Sequence, residues 1–233
     1  MLFWGIFFIS VIIMALTRLN TNAYGSTINL TSNVTGTLPV ANGGTNLTSG
    51  FENGGLVHVN TQTVSGAVSY VNFDNQISAT YDTYVIYFQK LGHNNAGTGV
   101  LRAQFGTGST PTYDTGDVYQ YGYVYLDSES DGTNTVGGNS QWTSGTGYIQ
   151  MGLSSRATEH NGSIILTGMN ETGAWMKGFE STLFAHDQYE NTYETAQTTG
   201  VYNKGSVATS IRFYFSAGSI DTGVMTLYGV SKS

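Results

Sequence analysis

From Leu56 onward, short runs rich in Val, Ile, Phe, Tyr and Thr recur between breaks built from Gly, Asn and Asp. Short runs at such regular spacing are what an antiparallel sandwich or barrel requires. They read as Leu56 to Asn60, Val64 to Phe73, Tyr84 to Leu91, Gly99 to Phe105, Val118 to Leu126, Tyr148 to Leu153, Ser163 to Met169, Phe179 to Ala185, Val201 to Tyr202, Ile211 to Ser216 and Val224 to Val230. No stretch after residue 50 keeps helical spacing. Thirty-one Gly, only 2 Pro and 10% charged residues in 233 fit a chain of many turns. Sixteen Tyr and 11 Phe supply bulk suited to pleated, half-buried surfaces. The expected fold is all-β, an antiparallel β-sandwich of jelly-roll type over residues 56–233.

Two runs predict where the core lies. In Ile211 to Ser216, the residues Ile211, Phe213 and Phe215 share one face and Arg212, Tyr214 and Ser216 the other, so the odd face is expected inside. In Val118 to Leu126 both faces are candidates. Tyr119, Tyr121, Tyr123 and Tyr125 lie on one, Val118, Val124 and Leu126 on the other. Tyrosine has an apolar body and a polar tip. Its face is therefore read as buried or as a subunit interface, with an exposed sugar-stacking platform as the alternative.

Ahead of the sandwich the chain changes character. Leu2 to Leu16 is almost wholly apolar but shorter than the ~20 residues of a membrane span. Residues 1–25 are an apolar leader open to three readings. One is a signal peptide with a Thr21-Asn22-Ala23 cleavage candidate, although no Lys or Arg precedes the apolar run. Another is an anchor, and the third is a translation start assigned too far upstream. Residues 26–55 form an extended linker or attachment segment. Within it Pro39 fixes φ and removes a donor, and Asn42-Gly43-Gly44 favours a tight turn. All fifteen acidic residues follow Phe51, whereas Arg18 is the one charged side chain in the first fifty.

The run Gly36-Thr37-Leu38-Pro39-Val40-Ala41-Asn42-Gly43-Gly44-Thr45 resembles a motif of tail-fibre and related virion proteins of tailed bacteriophages, with Asn46 in place of the usual closing glycine. Ile211 to Phe215, the Ala217-Gly218 turn and the closing Met225 to Val230 strand resemble the C-terminal hairpin of β-sandwich head domains in such proteins. Asp74 to Phe88 is similar to their opening strands. The resemblance covers residues 33–233. It implies a virion location, a homotrimer, attachment to other virion proteins through the N-terminal segment, and a head that binds host-surface glycan. Such a protein is not an enzyme.

A net charge of -7 with eight Lys plus Arg and no basic cluster argues against nucleic acid as a partner. The absence of cysteine removes disulfides, thiolate metal sites and thiol nucleophiles. Asp127, Glu129 and Asp131 alternate before Gly132 like the opening of a calcium loop, but Gly138 stands where an EF-hand needs its bidentate Glu. They form a weak calcium candidate, and no other cofactor is expected. Carboxyl pairs for glycoside hydrolysis can be drawn from Asp114 with Asp117, from Glu159 beside His160, or from Asp187, Glu190 and Glu194 near His186, with nothing to fix their geometry. His58, His93, His160 and His186 are not spaced as zinc ligands. Trp142, Trp175 and Tyr189 lie in polar, loop-like surroundings and are the expected ligand contacts. A secreted bacterial carbohydrate-binding module is the alternative to the virion reading, and a glycan-degrading tailspike is a third.

A chain starting near Tyr24 is expected to stay soluble and to scatter light as an oligomer, because the leader has no periodic partner in the sequence. Aggregation of that chain alone would place the leader in the core. A mass near the 25.0 kDa of one chain would favour the monomeric module.

Overall fold

The computed structural model describes residues 55–94, 99–128, 132–140, 146–152, 159–174, 176–187 and 192–231. The leader and the Val34 to Thr48 segment lie outside them. The described residues form thirteen strands: β1 Leu56–Val64, β2 Val71–Phe73, β3 Thr83–His93, β4 Leu101–Thr107, β5 Thr112–Tyr113, β6 Tyr119–Ser128, β7 Asn134–Ser140, β8 Ile149–Gln150, β9 Glu159–Thr167, β10 Lys177–Asp187, β11 Thr192–Tyr202, β12 Ser210–Phe215 and β13 Ile220–Val230. No helix occurs among the described residues. One sheet has eight strands in the order β1-β13-β3-β9-β10-β11-β6-β7. The other has β2-β12-β4-β5, with β8 pairing β4 beside β5.

Every named pairing is antiparallel, and the chain alternates between sheets as it advances. It passes from β1 to β2, back to β3, across to β4 and β5, and so on until β12 and β13 close one sheet each. This jelly-roll-like winding is why sequence neighbours such as β12 and β13 are not sheet neighbours. The two inner faces pack into one core, as in β-sandwiches generally. Phe73 and Phe213 meet edge to face at 6.4 Å, and Phe88 of the larger sheet tilts against Phe213 at 6.2 Å. Phe105, Tyr119 and Tyr202 form a second aromatic group, with Phe105 and Tyr202 centroids 4.9 Å apart.

The expected face of β12 is the inner one: Ile211, Phe213 and Phe215 are buried while Arg212 and Tyr214 lie on the outside. In β6 the tyrosine face turns inward. Tyr119 and Tyr121 are fully buried, and Tyr123 and Tyr125 pack against the edge of the core. Val124 and Leu126 are 57% and 46% exposed. The exposed tyrosine platform is thus replaced by an exposed aliphatic face, because the tyrosines fill the space between the sheets.

Several boundaries differ from the sequence reading. Leu56 to Val64 is one continuous strand, and only Val71–Phe73 of the next run is paired in a sheet. β7 was not anticipated, since its residues Thr135-Val136-Gly137-Gly138-Asn139 carry one large apolar side chain. β11 is far longer than Val201 to Tyr202. Its inward positions before Tyr202 are Glu194, Ala196, Thr198 and Gly200, which show no apolar alternation. Gly200 is required by close approach: a Cβ there would meet Tyr121 Cβ at 2.5 Å and Phe179 Cζ at 2.7 Å. Large rings on the neighbouring strands occupy the volume that β11 leaves empty.

Phe213→Ala should lower stability by about 3–5 kcal/mol, the range for truncating a buried ring. Arg212→Ala, one residue away on the outer face, should lower it less. Denaturant melts giving equal losses would contradict the face assignment.

Candidate ligand-binding surfaces

The outer face of the larger sheet carries side chains from alternate positions of all eight strands. Near one edge, outward positions on β6 and β7 are glycines, Gly122 and Gly138, on adjacent strands. With no side chains there, an open groove of about 630 Å³ forms. Val124, Asn139, Glu180, Gln197 and Thr199 line it. Along this face Leu126, Val136, Phe184 and Tyr193 are exposed. Tyr193 stacks on His186 at 4.7 Å. Toward the opposite edge Tyr228 stands edge-on to His58 at 5.8 Å and to Tyr87 at 6.0 Å. This face combines amide, hydroxyl and carboxylate groups with aromatic and aliphatic surface.

The outer face of the smaller sheet is organised differently. The Arg212 guanidinium lies 4.4 Å from the Tyr70 ring centroid and 4.4 Å from that of Tyr113. Its Nε donates to Gln104 Oε1 at 2.8 Å, and Gln104 Nε2 donates to the Gly147 carbonyl at 2.5 Å. Tyr70 in turn packs on Tyr214 at 5.6 Å. Arg102, opposite Tyr214 in register, lies 3.8 Å from the Tyr148 ring centroid. The Tyr113 hydroxyl donates to Asp74, and burial together with that carboxylate drives the hydroxyl's pKa well above its usual value. Tyrosine faces and guanidinium planes alternate across this sheet, an arrangement favoured by the ring quadrupole.

Other polar groups in the sandwich close up its own structure. Asp114 accepts hydrogen bonds from the Tyr202 hydroxyl and from Lys204, its ion-pair partner. Burial, then the Asp114 carboxylate, push the Tyr202 hydroxyl far up. Lys177 is buried and donates to the carbonyls of Gly173 at 2.9 Å and Lys204 at 2.5 Å, with burial lowering its pKa. Asp114 is therefore half of a structural tie between Tyr202 and Lys204. Glu159 is exposed and His160 buried on opposite faces of β9, and His186 and Glu194 likewise fall on opposite faces. Glu159 and His160 therefore cannot act together on one substrate atom, while Glu190 of the last group lies outside the described residues.

The histidines, read as isolated, include one pair that the fold brings together. His93 and His160 have ring centroids 6.1 Å apart, and both tilt against Phe215, at 4.8 and 5.0 Å. His160 Nδ1 is 3.1 Å from the Leu91 carbonyl oxygen. The signal for this cluster is absent from the sequence, because it depends on β3, β9 and β12 meeting at one end of the core.

Trp142, Trp175 and Tyr189, the expected ligand contacts, lie outside the described residues, as do Glu129 and Asp131 of the calcium candidate. Asp127 is described, at the end of β6, opposite Glu194 of β11 and Thr135 of β7. Among the described residues no three His, Cys, Asp or Glu side chains come together as a metal site. Sequence reasoning missed both outer faces. The Gly122 and Gly138 groove needs the β6–β7 register, and the Arg–Tyr lattice needs the five strands of the smaller sheet in contact. Compared with known proteins, the chain matches no family model, no curated protein and no solved structure.

His160 yields a prediction about pH. Burial holds its pKa down at about 4, against the Leu91 carbonyl, which favours the charged ring, and with a smaller push from His93. The unfolded chain protonates near 6.5, so it binds the proton first. The stabilisation is fully present above about pH 6.5 and is lost as the pH falls toward about 4, on the order of 3 kcal/mol. His160→Gln should show a shallower decline of stability across this window in denaturant melts. Equal slopes would mean that His160 does not carry the effect.

Proposed function

We propose that this chain is a tail-fibre-like virion protein of a bacteriophage, a non-enzymatic homotrimer whose β-sandwich head binds host-surface glycan. The observation that carries the glycan reading is the groove over Gly122 and Gly138. A sugar presents hydroxyls around its rim and C–H groups on its ring faces. The groove offers Glu180, Gln197 and Thr199 to the former and Val124 to the latter. These groups stand on paired strands and not on loops, so they are held in place before a ligand arrives, which lowers the ordering cost of binding. The virion setting and the trimer rest on the resemblance of the Gly36 to Thr45 run and of the C-terminal hairpin. In this reading the N-terminal segment joins the head to other virion proteins.

The same groove would serve a secreted bacterial carbohydrate-binding module. Gene neighbours encoding virion assembly proteins separate that reading from the first. For the glycan reading itself, full-length protein should retain binding to a subset of an array of bacterial surface glycans. Gln197→Ala should weaken that binding by ~10-fold, the scale of about one lost hydrogen bond to a ligand, with an unchanged melting temperature. An array on which the wild-type protein binds nothing would refute it. Binding untouched by Gln197→Ala would move the site off the groove.

A further inference from the structure

We propose that the outer face of the five-stranded sheet is a second ligand site, specific for saccharides that carry a carboxylate, with Arg102 and Arg212 as the anion-binding groups. This rests on the reading of the chain as a glycan binder and adds a separate site and a ligand class. The first argument is charge. The chain has eight Lys and Arg against fifteen acids, yet two of those eight cations point outward from this one small sheet. The other outward positions on its strands are uncharged, among them Asn72 on β2, Tyr214 on β12, Gln104 and Gly106 on β4, Tyr113 on β5 and Gln150 on β8. The Asp74 carboxylate at the margin accepts the Tyr113 hydroxyl.

The second argument is geometry. Arg212 is held between the rings of Tyr70 and Tyr113, each centroid 4.4 Å away, and tied at Nε to Gln104. Arg102 is held 3.8 Å from the Tyr148 centroid. Stacking engages the face of a guanidinium, whereas its hydrogen bonds are made in the plane, at the rim. A stacked, tethered arginine is thus oriented to receive a carboxylate in its plane, with little side-chain freedom left to lose. The third argument concerns the uncharged part of the ligand. Tyr70 is 47% exposed, lies against the Arg212 guanidinium and tilts against Tyr214, which stands opposite Arg102 in register. An exposed ring beside a guanidinium suits a pyranose, which stacks its C–H face on the ring while an equatorial carboxylate lies out toward the cation. An acidic peptide has no such flat apolar face.

Calorimetric titration of the full chain at low salt tests this with three probes: an oligogalacturonate, a neutral oligosaccharide of equal length, and sodium sulfate. The oligogalacturonate is expected to bind, to weaken with added salt, and to outbind the neutral sugar by ~10-fold or more. Arg102→Gln and Tyr70→Ala should each weaken it by ~10-fold with melting temperatures near wild type, and Arg212→Lys, which keeps the charge but not the fork, should do the same. Gln197→Ala in the opposite groove should leave it unchanged. Equal binding of acidic and neutral sugars, absence of oligogalacturonate binding, sulfate competing as well as the sugar, or variants that bind like wild type would each overturn the proposal. Loss of oligogalacturonate binding in Gln197→Ala but not in Arg102→Gln would overturn this site while sustaining the groove.

Discussion

The structure depends on a requirement set by its core tyrosines: each buried ring carries a hydroxyl that must find a partner before the ring can be enclosed. Tyr84 reaches the edge of the core and donates to the Ser78 carbonyl at 2.8 Å while accepting from the Ser78 amide at 2.7 Å. Tyr119 accepts from the Phe105 amide at 2.7 Å and donates to the Asp114 carbonyl. Tyr202 donates to the Asp114 carboxylate, which Lys204 also holds. Each satisfied hydroxyl fixes a connection that would otherwise be free. The Ser78 segment, anchored also by the buried Ile77, and the Asp114 segment are positioned by the phenols beneath them. Burial pushing the Tyr119 and Tyr202 hydroxyls far above their usual pKa expresses the same fact, that an ionised phenol has no place there.

With the interior filled by rings of that length, the strands that face them must be small. Gly200 on β11 sits where Tyr121 and Phe179 project, and Ala196 lies opposite Tyr125 and Leu183, so one strand supplies room and its neighbours supply bulk. This division explains how much of the fold was legible. Ile211, Phe213 and Phe215 announce an inward face because large apolar residues alternate with polar ones. β11 does not, because its inward residues are defined by what they lack. β7 was silent for a related reason, being an edge strand whose exposed Val136 and paired glycines need no core pattern. The all-β sandwich was therefore readable from the spacing of turns and aromatics. The alternation between sheets was readable only from the pairing.

The two outer faces show a further limit on what sequence can reveal. Gly122 and Gly138 are ordinary glycines in the chain, and they become a groove only when Val124 falls opposite Gly138 in the ladder. Tyr70, Arg102, Tyr113, Tyr148 and Arg212 are scattered over the chain and become a lattice only through β2, β12, β4, β5 and β8 lying side by side. Chemistry assembled across strands leaves no motif. Trp142, Trp175, Glu129 and Asp131, which attract attention in the sequence, lie outside the described residues.

The position of β13 has a kinetic consequence. It lies between β1 and β3, pairing with both along nearly its whole length, although it follows both with almost the entire sandwich in between. Until it arrives, β1 has no sheet partner and β3 presents an open ladder. Closure across so long a separation is slow, and unpaired ladders invite contact with other chains in the meantime. The refolding yield of this protein should therefore depend on concentration more steeply than its equilibrium stability would suggest. The first strand can take its place in the sheet only once the last has arrived.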